Sequence, residues 1–281
     1  MTSFTATLPN PKPYILRKVL KYWAIAKVNI QNSLAYSITI FARSLLVVSR
    51  IWVLYYLYVA IYSSAHSEVI NQLTLPMAIW NVSLSQTFQS VTRPPVARVI
   101  EEEIKSGTIV YSINRPYSYI LFHLLSTLGK ILPTLLTSLL IGGIVTWLLI
   151  GPIYFSLNAI VFGTLTLLLG YILDFFIMFN IGLAAFWLED ISSLYWNYFK
   201  LQFIFGGVLI PVALFPATLR SVAEFLPFSQ LFYTASRLLV NFDWQLFYYF
   251  LTIQLTWIII LGIVSVPRFR KALKYVSING G

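Results

Sequence analysis

The chain has 281 residues, 58% hydrophobic and only 10% charged, where a soluble domain needs roughly a quarter charged to cover its surface. An ordinary water-soluble domain is therefore excluded. At about 20 apolar residues per crossing, about six crossings fit in one membrane domain (1–281), with no separate soluble domain.

The net charge of +10 sits at the ends of apolar runs, where it orients spans and meets anionic headgroups rather than nucleic acid. There is no cysteine, which excludes disulfides, thiol catalysis and cysteine metal sites. Residues 1–13 hold Pro9, Pro11 and Pro13 but no apolar core, so no cleavable signal is expected. In 14–28, Leu16, Val19, Leu20 and Trp23 repeat at helical spacing opposite Arg17, Lys18 and Lys21. That pattern predicts an interfacial amphipathic helix lying at the membrane surface; the competing reading is the polar start of the first span.

The first span covers about 35–63, with Arg43 and Arg50 in its first half and Trp52, Tyr55, Tyr56, Tyr58 and Tyr62 after them. The second, about 70–91, is diluted by Asn71, Gln72, Asn81, Gln86 and Gln89 and is expected to face protein or a water-filled path. A long charged loop, 92–119, opens on Arg93-Pro94-Pro95. The third span runs about 120–149, the fourth 157–187, the fifth 191–213 and the sixth 244–266. Between the last two, residues 211–240 are too apolar for a free loop yet broken by Pro211, Pro216 and Pro227. They read as short helices dipping into the outer leaflet, which backbone does only when buried in protein or lining a cavity.

Six spans place most basic residues on one side: Lys12, Arg17, Lys18, Lys21 and Lys27, then Arg93, Arg98, Lys105 and Arg115, then Lys200, then Arg268, Arg270, Lys271 and Lys274. Only Arg220 and Arg237 fall opposite. The positive-inside rule makes that first side, with both termini, cytoplasmic.

Catalytic signatures are missing. His66 and His123 are far apart with no metal-ligand spacing, and neither GxSxG nor GxxxxGK[ST] occurs, so the chain is not expected to hydrolyse ATP itself. Asp174 is the one acid deep in a span, and Lys130 falls at a similar depth on the neighbouring span. A neutralised pair joining two helices is the favoured reading, a proton or substrate site the other. Glu101, Glu102 and Glu103 are expected to open a short cytoplasmic helix, where negative charge suits the N-terminus. Gly107 then allows a turn, and Asn114-Arg115-Pro116 breaks the chain. Most aromatics read as interface anchors; Tyr55, Tyr56, Trp80, Trp196, Tyr198 and Phe203 are retained as a possible pathway for flat, apolar or cationic amphiphiles.

Residues 103–116 carry E-I-x-x-G-T, an apolar stretch and R-P: Glu103, Ile104, Gly107, Thr108, Arg115 and Pro116. This resembles the cytoplasmic loop of ABC type-2 exporter permeases. Gly207, Pro211 and Pro216, then Leu226-Pro227-Phe228, are similar to that family's fifth span and outer re-entrant region. The run of three glutamates and the phenylalanine-rich fifth span depart from the pattern. The resemblance implies an exporter subunit, closest to the drug and antibiotic branch, in a prokaryotic plasma membrane. It further implies two copies of a separate ATPase holding ATP and magnesium, a second permease (identical or related), and a hydrophobic or amphipathic substrate. The loop would be the coupling helix seated in the ATPase. Two other classes stay open: a self-powered secondary transporter or channel, which would show a carboxylate network or paired broken helices, and a membrane-embedded enzyme or scaffold.

Overall fold

The computed structural model describes residues 14–35, 37–71, 73–92 and 96–279. The prolines of 1–13, Lys12, Gln72 and Arg93–Pro95 lie outside the described residues, as do the side chains of Leu16, Arg17, Lys18, Val19 and Arg43. In chain order the elements are α1 (Tyr14–Ala35), α2 (Ser37–Ala65), a hairpin of β1 (Val69–Ile70) and β2 (Leu73–Thr74), α3 (Leu75–Ser90), α4 (Val96–Lys105) and α5 (Ile109–Ile113). There follow α6 (Tyr119–Ile150), α7 (Leu157–Leu183), α8 (Ser192–Phe205), α9 (Ala217–Phe225), α10 (Tyr233–Val240) and α11 (Trp244–Asn279).

Four helices are long and apolar enough to cross a membrane: Ile38–Ala65, Tyr119–Ile150, Leu157–Phe186 and Trp244–Lys274. They start within a few residues of the expected first, third, fourth and sixth spans. Their outer faces show large apolar side chains, among them Val53, Leu140, Leu148 and Ile263, a surface suited to lipid rather than water. The expected second and fifth spans are not among these four. At 1.5 Å per residue, the 16 residues of α3 and the 14 of α8 give about 24 and 21 Å, short of a hydrocarbon core of about 30 Å. The expected second span begins as the β1–β2 hairpin. The expected fifth leaves helical conformation at Gly206, and Gly207 follows in the left-handed region at φ +64°.

The core gathers on α3, whose residues Ala78 to Gln89 are all buried. Three of its polar side chains bond to other elements: Gln86 Nε2 donates to the Val208 carbonyl at 3.0 Å, Gln89 Nε2 to Gln202 Oε1 at 2.9 Å, and Ser85 bonds Ser236 at 2.7 Å. The polarity of this segment thus fastens α3 to the broken chain after α8 and to α10.

α1 continues past residue 28 to Ala35 and packs along α6. The Ser118 amide donates to Tyr22 Oη at 3.3 Å, and Asn29 Nδ2 donates to Ser126 Oγ at 3.3 Å. Contacts in the same order on both helices mean that the two run side by side. A helix lying across α6 would meet it at one level only.

Candidate functional site

At the end of the bundle where α4 lies, Val96, Ala97 and Ile100 are buried while Glu102 and Lys105 are exposed, so one apolar stripe seats the helix. It sits on α7 at Gly182, where a Cβ would stand 3.0 Å from Ala97 Cα and 3.1 Å from Ile100 Cβ. A side chain there would have to push α4 back by a few tenths of an ångström, so glycine allows the close seating. The helix ends where Gly107 takes φ +72°, its amide donating to the Ile104 carbonyl at 3.1 Å. That is a glycine C-terminal stop. A Cβ on Gly107 would meet nothing within 4 Å, so the demand there is conformational and not steric. Thr108, Val110, Tyr111, Arg115 and Pro116 line the exposed elbow that leads to α6.

The three glutamates do not open α4. The helix begins at Val96 with no acid in its first turn, and consecutive helical residues splay about 100° apart, so the three cannot share a face. Glu101 is buried. It accepts from Arg98 Nη1 at 2.8 Å, Lys105 Nζ at 2.9 Å and the Ile191 amide at 3.4 Å. Arg98 in turn donates to Ser192 Oγ at 3.0 Å and lies 5.1 Å from the Tyr195 ring centre. The Glu101 cluster therefore fixes α4 to the first turn of α8. Glu103 faces α6, accepting from Tyr119 Oη at 2.7 Å, with His123 Nε2 at 3.6 Å. Burial pushes both carboxyls up, but their neighbours outweigh it: the Lys105 and Arg98 donors for Glu101, the nearby His123 ring and the Tyr119 hydroxyl for Glu103, so both lie below the ordinary carboxylate value. Glu102 alone of the three is exposed, and Ile104 packs partly against the core.

Sequence reasoning missed Arg98, Tyr119, His123 and Ser192 as members of this cluster. The first had a local signal, since Arg98 and Lys105 stand three before and four after Glu101 on one helix. The others come from elements far away in the chain.

Deeper in the bundle, Lys130 and Asp174 are not an ion pair. The Asp174 carboxylate accepts from the Tyr198 hydroxyl, while Lys130 is exposed and lines a cavity. The physical reason is packing: α6 lies mainly against α1, α2 and α3 rather than α7. Nor do the six aromatics gather in one place, although the neighbouring rings of Tyr55 and Tyr56 meet edge-on at 5.3 Å. Trp80 is buried, donating to the Gly151 carbonyl at 3.1 Å and standing edge-on to Phe155. Tyr198 is committed to Asp174. Tyr56 and Trp196 point outward, and Tyr55 and Phe203 are half-buried.

Pro211 precedes a 3-10 turn, Val212–Leu214, and Pro216 caps α9. The turn carrying Pro227 joins α9 to α10. Leu231, at the foot of α10, lies beside Gly170, and Leu239, near its end, lies beside Gly163. The α9–α10 hairpin thus has its tip against the middle of α7 and returns toward that helix's start. Gln254 Nε2 donates to the Gln230 carbonyl at 2.7 Å and to the Thr166 carbonyl at 2.9 Å, binding the tip to α11 and α7.

The cavity that Lys130 lines measures about 310 Å³ and lies between α1, the start of α2, α6 and the α3–α4 junction. No cluster of three or more potential metal ligands occurs among the described residues. A family model described as ABC-2 family transporter protein matches residues 48–280. No curated protein matches the chain.

Proposed function

The chain belongs to the ABC-2 family of transporter proteins and is a multi-pass membrane protein; on that premise we propose that it is the permease subunit of an exporter driven by a separate ATPase. The observation that carries this is the seating of α4: held from within by Glu101 and Glu103, it leaves Glu102, Lys105, Val110 and Tyr111 exposed at the tip of the bundle. Such a helix is suited to receive a push from a partner and pass it to α6 and α8.

In this proposal two copies of an ATPase subunit bind ATP and magnesium, and two permeases, identical or related, form the path. Six crossings arise because the hairpin with α3, and α8 with the chain to Leu214, each complete a passage that its helix is too short to make alone. The α9–α10 hairpin then re-enters from the outer side, and the α4 end with both termini faces the cytoplasm of a prokaryotic cell. The cargo is a hydrophobic or amphipathic molecule of the drug, antibiotic or lipid-like kind. Closure of the ATPases shifts the permeases between two packings of different cargo affinity.

Purification of the tagged chain from its native membrane tests the proposal. An ATPase subunit should come with it, and ATP hydrolysis should respond to amphipathic compounds. A chain that purifies without any ATPase yet transports in vesicles free of ATP would leave the secondary-transporter reading in its place.

A further inference from the structure

Lys130 stands eleven residues beyond Tyr119 in α6, about 16 Å along the helix at 1.5 Å per residue. A charge at that depth is costly and marks a functional position unless it is paired. Lys130 makes no ion pair among the described residues, and its cavity contains no carboxylate among the described lining residues. The remaining polar lining carries hydroxyls: Ser126 and Thr127 on α6, with Thr134 and Thr92 already donating to the Lys130 and Gln89 carbonyls at 3.5 and 3.0 Å. His123, only 4% exposed, also lines the cavity, and its Nε2 has no hydrogen-bond partner. One cation, several hydroxyls and an unfilled imidazole nitrogen make a site that complements negative charge. Ile40, Val91 and Val96 add apolar surface to the lining. Across Ile131 lies a second groove of about 300 Å³, formed by α1, α6 and α7 and almost wholly apolar, with Leu128, Leu132 and Leu168 in its lining.

We propose that this cavity binds the anionic headgroup of an amphiphile, a phosphate or carboxylate, with Lys130 as the countercharge and His123 Nε2 as a second donor. The proposal narrows the cargo class of the permease reading and rests on it. It also links cargo to coupling. The His123 nitrogen stands 3.6 Å from Glu103 of α4, so an anion drawn to that nitrogen competes with Glu103, and occupancy is felt where α4 meets α6.

The chain has no cysteine, so Thr127→Cys gives a single labelling site for an environment-sensitive dye in the cavity. The full chain, assembled with its ATPase in phosphatidylcholine nanodiscs, is titrated with dodecyl phosphate, dodecyltrimethylammonium and inorganic phosphate. Dodecyl phosphate should give a saturable signal, weakened about tenfold or more by Lys130→Gln and largely kept by Lys130→Arg, as expected for a hydrogen bond between charged groups. The cationic amphiphile should give no saturable signal, and inorganic phosphate none at matched concentration. Equal responses to both amphiphiles, or to dodecyl phosphate in Lys130→Gln and the parent, would overturn the proposal. Saturation by inorganic phosphate alone would make this a free-anion site and overturn the amphiphile assignment. Should Lys130→Gln fail to insert, the three probes on the parent chain decide the matter. A complex that transports but shows no binding here sinks the cavity and spares the permease reading; binding in a chain with no ATPase partner does the reverse.

Discussion

α3 and α4 are both short helices joined by a brief connection, and they handle polarity in opposite ways. α3 carries no charged residue, whereas the ten residues of α4 include Arg98, Glu101, Glu102, Glu103 and Lys105. The amides of α3 reach backbone and side-chain oxygens within the bundle. The carboxylates of α4 collect donors from α4 itself, from α6 and from the start of α8. A buried amide needs only a hydrogen bond, while a buried charge needs a partner and good geometry. Neutral polarity therefore fixes the interior of this protein, and ionic polarity fixes the piece at its edge to which the proposal assigns coupling. The comparison predicts that damage at α4 uncouples the protein, and that damage at α3 loosens its interior.

The largest effect should follow Gly182→Val, because the new side chain meets the backbone of α4 at Ala97. Overpacking of this kind costs about 1–3 kcal/mol. Thermal unfolding in detergent should fall accordingly, and protease access to the 106–118 elbow should rise. An unchanged elbow would mean that α4 is not seated on α7. Gln89→Leu tests the other region. It leaves Gln202 Oε1 without its donor, at about 1–2 kcal/mol, and should lower the melting temperature while ATP turnover per transported molecule stays at the parent value. Loss of coupling in this variant would erase the contrast.

Gly107 sharpens it further. Left-handed backbone with open space around it should tolerate Gly107→Asn better than Gly107→Val, a β-branched residue penalised by about 1–2 kcal/mol there. Equal transport by the two variants would show that the turn does not need its φ.

Acid gives the smallest effect. Glu101 and Glu103 have folded values below the ordinary carboxylate range, so their stabilisation is fully present above that range and fades as pH falls through the lower folded values. The protection factors of the Val96–Lys105 amides, each taken against the intrinsic exchange rate at the same pH, should be high at about pH 6 and fall below about pH 4. Protection lost already at pH 6, or retained at the acid end, would contradict the anchoring.

Hydropathy is local, so the starts of α6, α7 and α11 were legible to within a residue: 120, 157 and 244 were expected where Tyr119, Leu157 and Trp244 begin the helices. The end of α8 was missed although Gly206-Gly207 marks it, because the apolar run continues past both glycines. α11 passes through Pro267 to Asn279, well beyond the expected end at 266. The Lys130–Asp174 pairing failed for a non-local reason: equal depth says nothing of which way a helix face turns, or which neighbour it meets. The expectation that Glu101, Glu102 and Glu103 open their helix failed for a local one, since α4 already begins at Val96, five residues earlier. The elbow at Gly107 was legible, because glycine and the residues around it announce a turn directly.

The central claim is that Glu101 and Glu103 transmit motion between α4 and the membrane helices. Glu101→Gln/Glu103→Gln keeps the size of each side chain but removes both charges and one acceptor oxygen at each position. The measurement is transported cargo per ATP hydrolysed in reconstituted vesicles, with the ATPase bound. This account predicts a complex that assembles and keeps its basal ATP hydrolysis, while transport per ATP falls about tenfold, the equivalent of about 1.4 kcal/mol of coupling. An unchanged ratio of transport to hydrolysis in the assembled double variant would contradict it.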